Sequence, residues 1–431
     1  MGWKKITWPL YVVIFMMIQL LYGQDFKIDK SILNEAAVGA RAAGMGRAFT
    51  ALANDANALD WNPAGLAFFH KSSAIVASSF DFGKINIIPP SNLANSKKKY
   101  QGREDGSFNL NYIGFTFPMQ AQTLEITSSI VIRNITDLNE HPVWTTIDES
   151  KDTQWDIEED RSGGLFALAT GVGIKVLDNV SLGTTLNFLT GNHDYKNTDI
   201  LKTMDSDLED WYEWKNKFSG FSVDFGFIWN ISKLVAIGSR LTFPYTINYA
   251  RIEYSNSNTE PQGGSAQAKF DAHIKKPLHA SYGLALNLSP DLVFAFDYVY
   301  RPWEKVTSYV RKNAEGAVTT EDESFANANA FRMGIEFIAN SGSTKIPFRL
   351  GFFTSPEQIF EFNVTKPEQK GNQVTSHYLT GGFGFGNDNV VFNLAIDYKV
   401  MQYKSDYLGL LVPFELQRSR FQATFGLEFI L

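Results

Sequence analysis

The sequence predicts an all-β protein: a transmembrane antiparallel β-barrel of about fourteen strands with an N-terminal hatch lodged in its lumen. Three observations predict it. From residue 72 onward apolar and polar residues alternate with period two, and side chains alternate across a strand. The alternating stretches run about ten residues, the length that crosses a tilted bilayer, against a usual mode of about five or six. The joins between them alternate short and long, the pattern of periplasmic turns and external loops.

Composition narrows the class. The 431 residues include no Cys, 33 Gly, 15 Pro, 35 Phe, 17 Tyr and 9 Trp, with a net charge of −7. Without Cys there is no disulfide scaffold, thiolate metal site, Cys nucleophile or lipidated N-terminal Cys. The acidic balance gives no electrostatic case for nucleic acid. Mean hydropathy slightly below zero excludes a helical membrane bundle, since only one stretch approaches 18 apolar residues.

That stretch is N-terminal. Lys4 and Lys5 precede an apolar run from Ile6 to Tyr22, and small Gly23 is followed by Gln24, Asp25 and Lys27. The order is that of a secretory signal over residues 1–23, cleaved near Gly23; the rival reading is a single anchoring helix. Either places the remainder outside the cytoplasm.

Residues 24–71 do not alternate. They are rich in Ala, Gly and Asn, and Asn62-Pro63-Ala64-Gly65 fixes a turn. Small residues let backbone approach backbone, and about forty-eight compact residues suit a barrel lumen. A plug in the lumen is the expectation.

The barrel occupies 72–431. Phe421, Ala423, Phe425, Leu427 and Phe429 share one face of the last strand, against Gln422, Thr424, Gly426 and Glu428. The same alternation marks 72–83, 107–117, 123–133, 162–174, 181–189, 220–229, 234–249, 269–288, 291–300, 329–338, 346–354, 377–386 and 389–399. Long joins are expected at 84–106, 134–161, 190–219, 250–268, 301–328, 355–376 and 400–420. Gly382, Gly384 and Gly386 lack the spacing of a phosphate loop and fit a tight lumen. Arg240, Arg301, Arg332, Glu336, Arg349 and Glu428 fall on the polar face and are expected to pair inside.

Three joins carry chemistry. In 190–219, Leu201, Met204, Leu208 and Trp211 recur at helical spacing, which predicts a short amphipathic helix walling an external groove, or a lid core. Leu408, Leu410, Leu411, Val412 and Phe414 form a second apolar cluster. The acid-rich join 134–161 (Asp148, Glu149, Asp152, Asp156, Glu158, Glu159, Asp160) reads as a solvated face, with divalent-ion binding as the alternative. The six His (His70, His141, His193, His273, His279, His377) show no metal-binding pair spacing, and no Gly-x-Ser-x-Gly elbow occurs. No catalytic residue, metal or cofactor is assigned, and an enzyme is not expected.

Gly39-Ala40-Arg41-Ala42-Ala43-Gly44-Met45-Gly46, the Asn54-Asp55-Ala56 step and Trp61-Asn62-Pro63-Ala64-Gly65-Leu66 resemble the N-terminal pattern of the FadL/TodX-type outer-membrane transporters of long-chain fatty acids and hydrocarbons. They also resemble the related PorV-like proteins of the type IX secretion system. Lys276-Pro277, Tyr282-Gly283-Leu284, Asp297-Tyr298 with Trp303, and Pro347-Phe348-Arg349-Leu350-Gly351 carry the likeness more loosely through the barrel. The resemblance implies a bacterial outer-membrane barrel of fourteen strands, with a hatch that moves, gated by the matching Asn62, Pro63, Ala64 and Gly65, and substrate leaving through a kink in the third strand. The partners implied are a hydrophobic small-molecule ligand, outer-membrane lipid and the barrel-assembly machinery, with secretion-system proteins in the docking alternative. The third strand, 123–133, contains neither Gly nor Pro, so a kink there requires a bulge that the sequence does not reveal. Pro244 and Pro277 are expected to interrupt strands elsewhere.

Overall fold

The computed structural model describes residues 30–33, 36, 38–90, 98–121, 124–204, 207–257, 264–312, 318–319, 325–363, 370–406 and 413–431. The expected signal at 1–23, the start of the hatch at 24–29, and Leu408, Leu410, Leu411 and Val412 lie outside these residues.

Strands form because every inward or outward step alternates, and the ladder satisfies backbone groups that a bilayer cannot. They are β1 (Ser73–Ile88), β2 (Lys98–Ala121), β3 (Leu124–Asp137), β4 (Pro142–Asp148), β5 (Thr153–Leu177), β6 (Val180–Lys202) and β7 (Asp207–Asn230). Next come β8 (Val235–Thr242), β9 (Tyr245–Ser257), β10 (Gly264–Lys276), β11 (His279–Ser289), β12 (Leu292–Tyr300), β13 (Thr307–Lys312) and β14 (Val318–Thr319). The circuit ends with β15 (Ala330–Ser341), β16 (Thr344–Phe362), β17 (Lys370–Gly386), β18 (Val390–Asp406) and β19 (Pro413–Ile430). All pairings are antiparallel, and β1 pairs with β19 from Ser73↔Ile430 to Ile88↔Glu415, closing the ring. Because β4 continues β3, β9 continues β8, β10 leads into β11, and β13 and β14 lie beyond the wall, the barrel has fourteen strands.

The two faces separate as the alternation requires. Phe80, Phe82, Phe421, Phe425 and Phe429 are exposed to the outside, whereas Ser79, Asp81, Thr424 and Glu428 are buried inside. Outward rings pack across strands, as in Phe82 on Phe421 at 5.3 Å and Tyr398 on Phe421 at 4.5 Å, which is the cross-strand stabilisation expected of a greasy outer face. Pro244 and Pro277 do interrupt strands, between β8 and β9 and between β10 and β11, since proline removes a ladder donor.

Three expectations are corrected. The long joins are largely ladder rather than loop: β5, β6 and β7 contain 25, 23 and 24 residues. Their lower halves carry the outward apolar residues Leu168, Phe188 and Phe221, and their upper halves project beyond that band with Glu158, Asp160, Lys196 and Lys215 exposed.

The amphipathic helix predicted from Leu201, Met204, Leu208 and Trp211 is instead this hairpin. Leu201 pairs with Leu208 and shares its face, while Trp211 pairs with Thr198 on the opposite face, and Met204 is 79% exposed. Helical spacing over one short window loses to the continuous pairing of β6 with strands on both sides, and Trp211, Tyr212 and Trp214 are themselves good strand formers.

The third wall strand, in which the sequence revealed no bulge, is interrupted just beyond the expected 123–133. After Arg133 it leaves β2, shifts register against β5 between Asn134 and Thr136, and regains β2 only at Pro142 opposite Glu104. Residues 105–111 of β2 therefore have no strand ladder on that side. Side chains hold the interruption: Asn139 donates to Asn109 (2.6 Å) and Asp137 (2.8 Å) and accepts from the Gly163 amide (2.9 Å), and Asn109 donates to Asp137 (2.7 Å).

Candidate functional site

Described residues from Ala40 to Phe68, ahead of β1, lie inside the ring. They form α1 (Ala40–Gly44), α2 (Ala58–Trp61) and a 3₁₀ turn at Pro63–Phe68, and Ala42, Ala43, Met45, Phe49, Leu59, Ala64 and Leu66 are buried. These elements are too short to persist alone, so the wall must hold them.

Glycines on the wall make that possible. A Cβ on Gly183 would run into the backbone of Pro63, and one on Gly351 or Gly334 into Met45–Gly46. Gly382 approaches Gly44 so closely that a Cβ on it would lie 3.2 Å from the Gly44 Cα. The small residues noted on the polar face are the sites where backbone meets backbone.

The four gating residues expected from sequence sit at this contact. Asn62 is fully buried; its amide donates to the Thr50 carbonyl (2.8 Å) and the Phe227 carbonyl (3.0 Å), and its oxygen accepts from the Ala64 amide (3.1 Å). Pro63 begins the 3₁₀ turn, where a missing N–H costs nothing. The tie thus spans two stretches of the inner segment and the wall.

Polar anchors complete it. Asp297 accepts from the amides of Phe49 and Thr50 and from the Thr50 hydroxyl. Thr380 accepts from the Gly46 amide and donates to the Gly44 carbonyl. Glu336 bridges Arg41 of the inner segment and Arg349 of the wall, at 2.8 and 2.6 Å. Arg47 pairs with Asp397 at 3.2 Å. Arg133 pairs with Asp60 and Asp224, and Arg240 with Asp224 and the Asp60 carbonyl. Burial pushes the Asp55 carboxyl above its usual range, opposed by the adjacent Arg41. Arg240, Arg332, Glu336 and Arg349 therefore face inward as expected. Sequence reasoning missed Arg47, Arg133, Asp224 and Asp397 as anchors, and Asp297 entered it only through the resemblance, although the alternation of their strands and the Gly-Met-Gly-Arg step carry the signal.

Two cavities lie among these described residues. One of about 140 Å³ is lined by six cationic side chains (Arg47, Arg161, Arg301, Arg332, Lys399, Arg420) and five acids (Asp81, Asp137, Glu140, Glu357, Asp397), and through Asp137, Leu138 and Glu140 it reaches the broken third strand. The other, about 70 Å³, surrounds Trp61 with Arg133, Arg240 and Lys276. Leu201, Met204, Leu208 and Trp211 line neither. Among the described residues no group of three or more His, Asp or Glu is placed to hold a metal. In the acid-rich stretch Asp156 bonds Lys202 and Thr145, Glu159 bonds Arg161 and Asp160 pairs with His141.

The architecture is shared with solved barrels. The Pseudomonas putida toluene transporter TodX superposes with a TM-score of 0.64 at 10% identity, over 92% of this chain and 99% of that one. The Ralstonia pickettii toluene transporter TbuX gives 0.59 at 13% identity, over 93% and 100%. A Pseudomonas aeruginosa FadL homologue gives 0.59 at 13% identity, over 91% and 98%. At such identities the likeness is one of fold, that of outer-membrane barrels of the FadL type. No curated protein matches the sequence. The model of the BamG family matches residues 62–402, from the Asn62 turn to the end of the barrel but one strand, and the chain belongs to that family.

Proposed function

We propose that the protein carries hydrophobic or amphipathic small molecules across the bacterial outer membrane, with long-chain fatty acids the leading class, past a hatch of residues 24–71. The observation that carries this reading is the larger cavity opening toward the break in the third strand. A molecule held there has a sideways path between β2 and β3, barred by the side chains of Asn109, Asp137 and Asn139 rather than by a ladder. The charged lining favours a molecule with a polar head over a bare hydrocarbon. Two of the structures with this fold are named toluene transporters, which supports a transport role.

Uptake of labelled oleate by a transporter-deficient outer membrane tests it. Uptake should rise with the protein and fall when Asn62 and Pro63 are replaced. No rise, with protein shown to be folded by its heat-shifted gel mobility, overturns it.

A second reading is a docking protein that transports nothing. The family name BamG points to the barrel-assembly machinery, and the projecting β5–β6–β7 sheet offers a surface for a partner. Co-purification of an assembly or secretion component through this sheet, without oleate uptake, would establish it.

A further inference from the structure

We propose that the outward face of β7, β9 and β10, just beyond the lipid-facing band, is a docking surface for a phosphorylated glycolipid of the outer leaflet, with its phosphates on Lys217, Lys269 and Lys275. Such a surface needs only an outer-membrane barrel and is independent of transport.

The lipid-facing band ends here in an apolar shelf. Phe221 closes it on β7. Phe243 and Leu278 close it where Pro244 and Pro277 interrupt the ladder, opposite one another between the pairs Thr242↔His279 and Tyr245↔Lys276. Phe221 and Phe243 are each 46% exposed and Leu278 is 39% exposed.

Above the shelf the alternation continues with a polar outer face. Phe218, Ile247, Tyr249, Phe270 and Ile274 are buried toward the lumen, so the residues between them face outward. Lys217 and Ser219 of β7, Asn248 and Ala250 of β9, and Lys269 and Lys275 of β10 are exposed there.

The register brings the lysines together. Lys217 pairs with Ala250, and Ala250 with the exposed Asp271. Lys217 and Asp271 thus stand two strands, roughly 10 Å, apart, with only a methyl group between them. Lys269 and Lys275 flank Asp271 along β10. Three cations surround one acid over a shallow floor of Asn248 and Ala250.

Among the described residues no ion pair holds Lys217, Lys269 or Lys275. Cations farther round the same sheet are matched: Lys215 meets Glu213 at 2.8 Å, and Lys196 lies between Asp160 and Glu213 across its ladders. Like charges on one sheet face are unfavourable, and lysine is a compact charge on a flexible stem, suited to reach a phosphate. Ser219, Thr246 and Asn248 put hydroxyl and amide groups between the shelf and Lys217, and Thr246 pairs with Lys275. A glycolipid with a phosphate at each end of its sugar head has the complementary order. Its acyl chains lie on Phe221, Phe243 and Leu278, its sugar hydroxyls meet the polar row, and its phosphates reach Lys275 at one end and Lys217 with Lys269 at the other.

Native mass spectrometry of the full-length protein in detergent micelles tests this. The probes are lipid A with two phosphates, the same lipid with both removed, and inorganic phosphate. The bisphosphorylated lipid should bind about tenfold more tightly than the dephosphorylated one. The difference should persist in EDTA, because lysines rather than bridging divalent ions supply the counter-charge. Lys217→Gln, Lys269→Gln and Lys275→Gln combined should abolish it, and Lys217→Arg, Lys269→Arg and Lys275→Arg combined should keep it. If the glutamine triple variant lacks the heat shift of a folded barrel, Lys217→Gln with Lys275→Gln carries the same expectation. Phe243→Ser should weaken both lipids alike, and Lys196→Gln should change neither. Equal binding of the two lipids, an undiminished difference in the glutamine variants, its loss in EDTA, or an equal loss from Lys196→Gln overturns the assignment. Displacement of the lipid by equimolar inorganic phosphate also overturns it, since the patch would then be a plain anion site.

Discussion

Thr50 donates both its amide (2.9 Å) and its hydroxyl (2.7 Å) to one carboxylate oxygen of Asp297, which also accepts from the Phe49 amide (2.9 Å). Two adjacent residues of the inner segment are thus fastened to the middle of β12 by three bonds to a single atom, in a place where neither the Thr50 nor the Asp297 side chain reaches solvent.

Asp297→Ala should strand those three donors. Each orphaned buried donor costs about 1–3 kcal/mol, and the loss should fall on the inner segment rather than on the wall ladders. Hydrogen exchange should therefore accelerate at Phe49 and Thr50 while amides of β12 and β15 keep their protection. Uniform acceleration would show that wall and inner segment unfold together.

Bulk on the wall glycines should keep the inner segment from seating while the ring still closes. A Cβ on Gly183 runs into the Pro63 backbone, whereas a Cβ on Gly381 meets nothing nearer than 3.8 Å, so Gly183→Val and Gly381→Val make a contrasting pair. Single-channel conductance in planar bilayers should rise for the first and stay at the wild-type level for the second. Equal conductance would mean that the segment accommodates the clash in place.

The absence of cysteine makes the broken strand open to a clean test. A chain with Asn109→Cys and Asn139→Cys, bridged by a short bifunctional thiol reagent, should lose oleate uptake and regain it when the bridge is reduced. Either single variant treated alike should keep it. Undiminished uptake in the bridged protein would exclude this route.

In the projecting sheet Asp199 lies opposite Asp210. Burial, together with the Asp210 charge, raises the Asp199 pKa, so the folded state binds a proton more readily than the unfolded chain. Its penalty is then absent in acid and sets in as pH rises through the folded value. Asp199→Asn should stabilise the hairpin near neutral pH by about 0.2–1 kcal/mol, with the gain disappearing in acid. Proteolysis rates across the hairpin tip as a function of pH would show it.

The parts of this structure legible in sequence are those set by local rules. Phe421 to Phe429 announce their faces by period two because one face meets lipid. Asn62-Pro63-Ala64-Gly65 announces its turn because proline and glycine restrict the backbone in place. What was illegible depends on partners distant in the chain. Leu138-Asn139-Glu140-His141 contains no residue that forbids a strand; it leaves the ladder because Asn139 finds Asn109, thirty residues away. Leu201 and Leu208 suit a helix until β5 and β7 claim both edges of β6. Arg47 looked like one more base in a small-residue run, since its role follows from Asp397 on a strand 350 residues later.

The seam between β1 and β19 imposes an order in time. The inner segment is joined to β1 through a link of a few residues after Phe68, and it fits the wall too closely to be threaded through a finished ring. It must be seated while the sheet is still an open ribbon, and the seam can form only after every strand between has been made. Until then the chain has two free edges, one of which carries the very segment to be enclosed. A factor that grips either edge would be timing the enclosure as well as preventing aggregation at an unpaired strand. Sealing the wall and trapping its contents are one event.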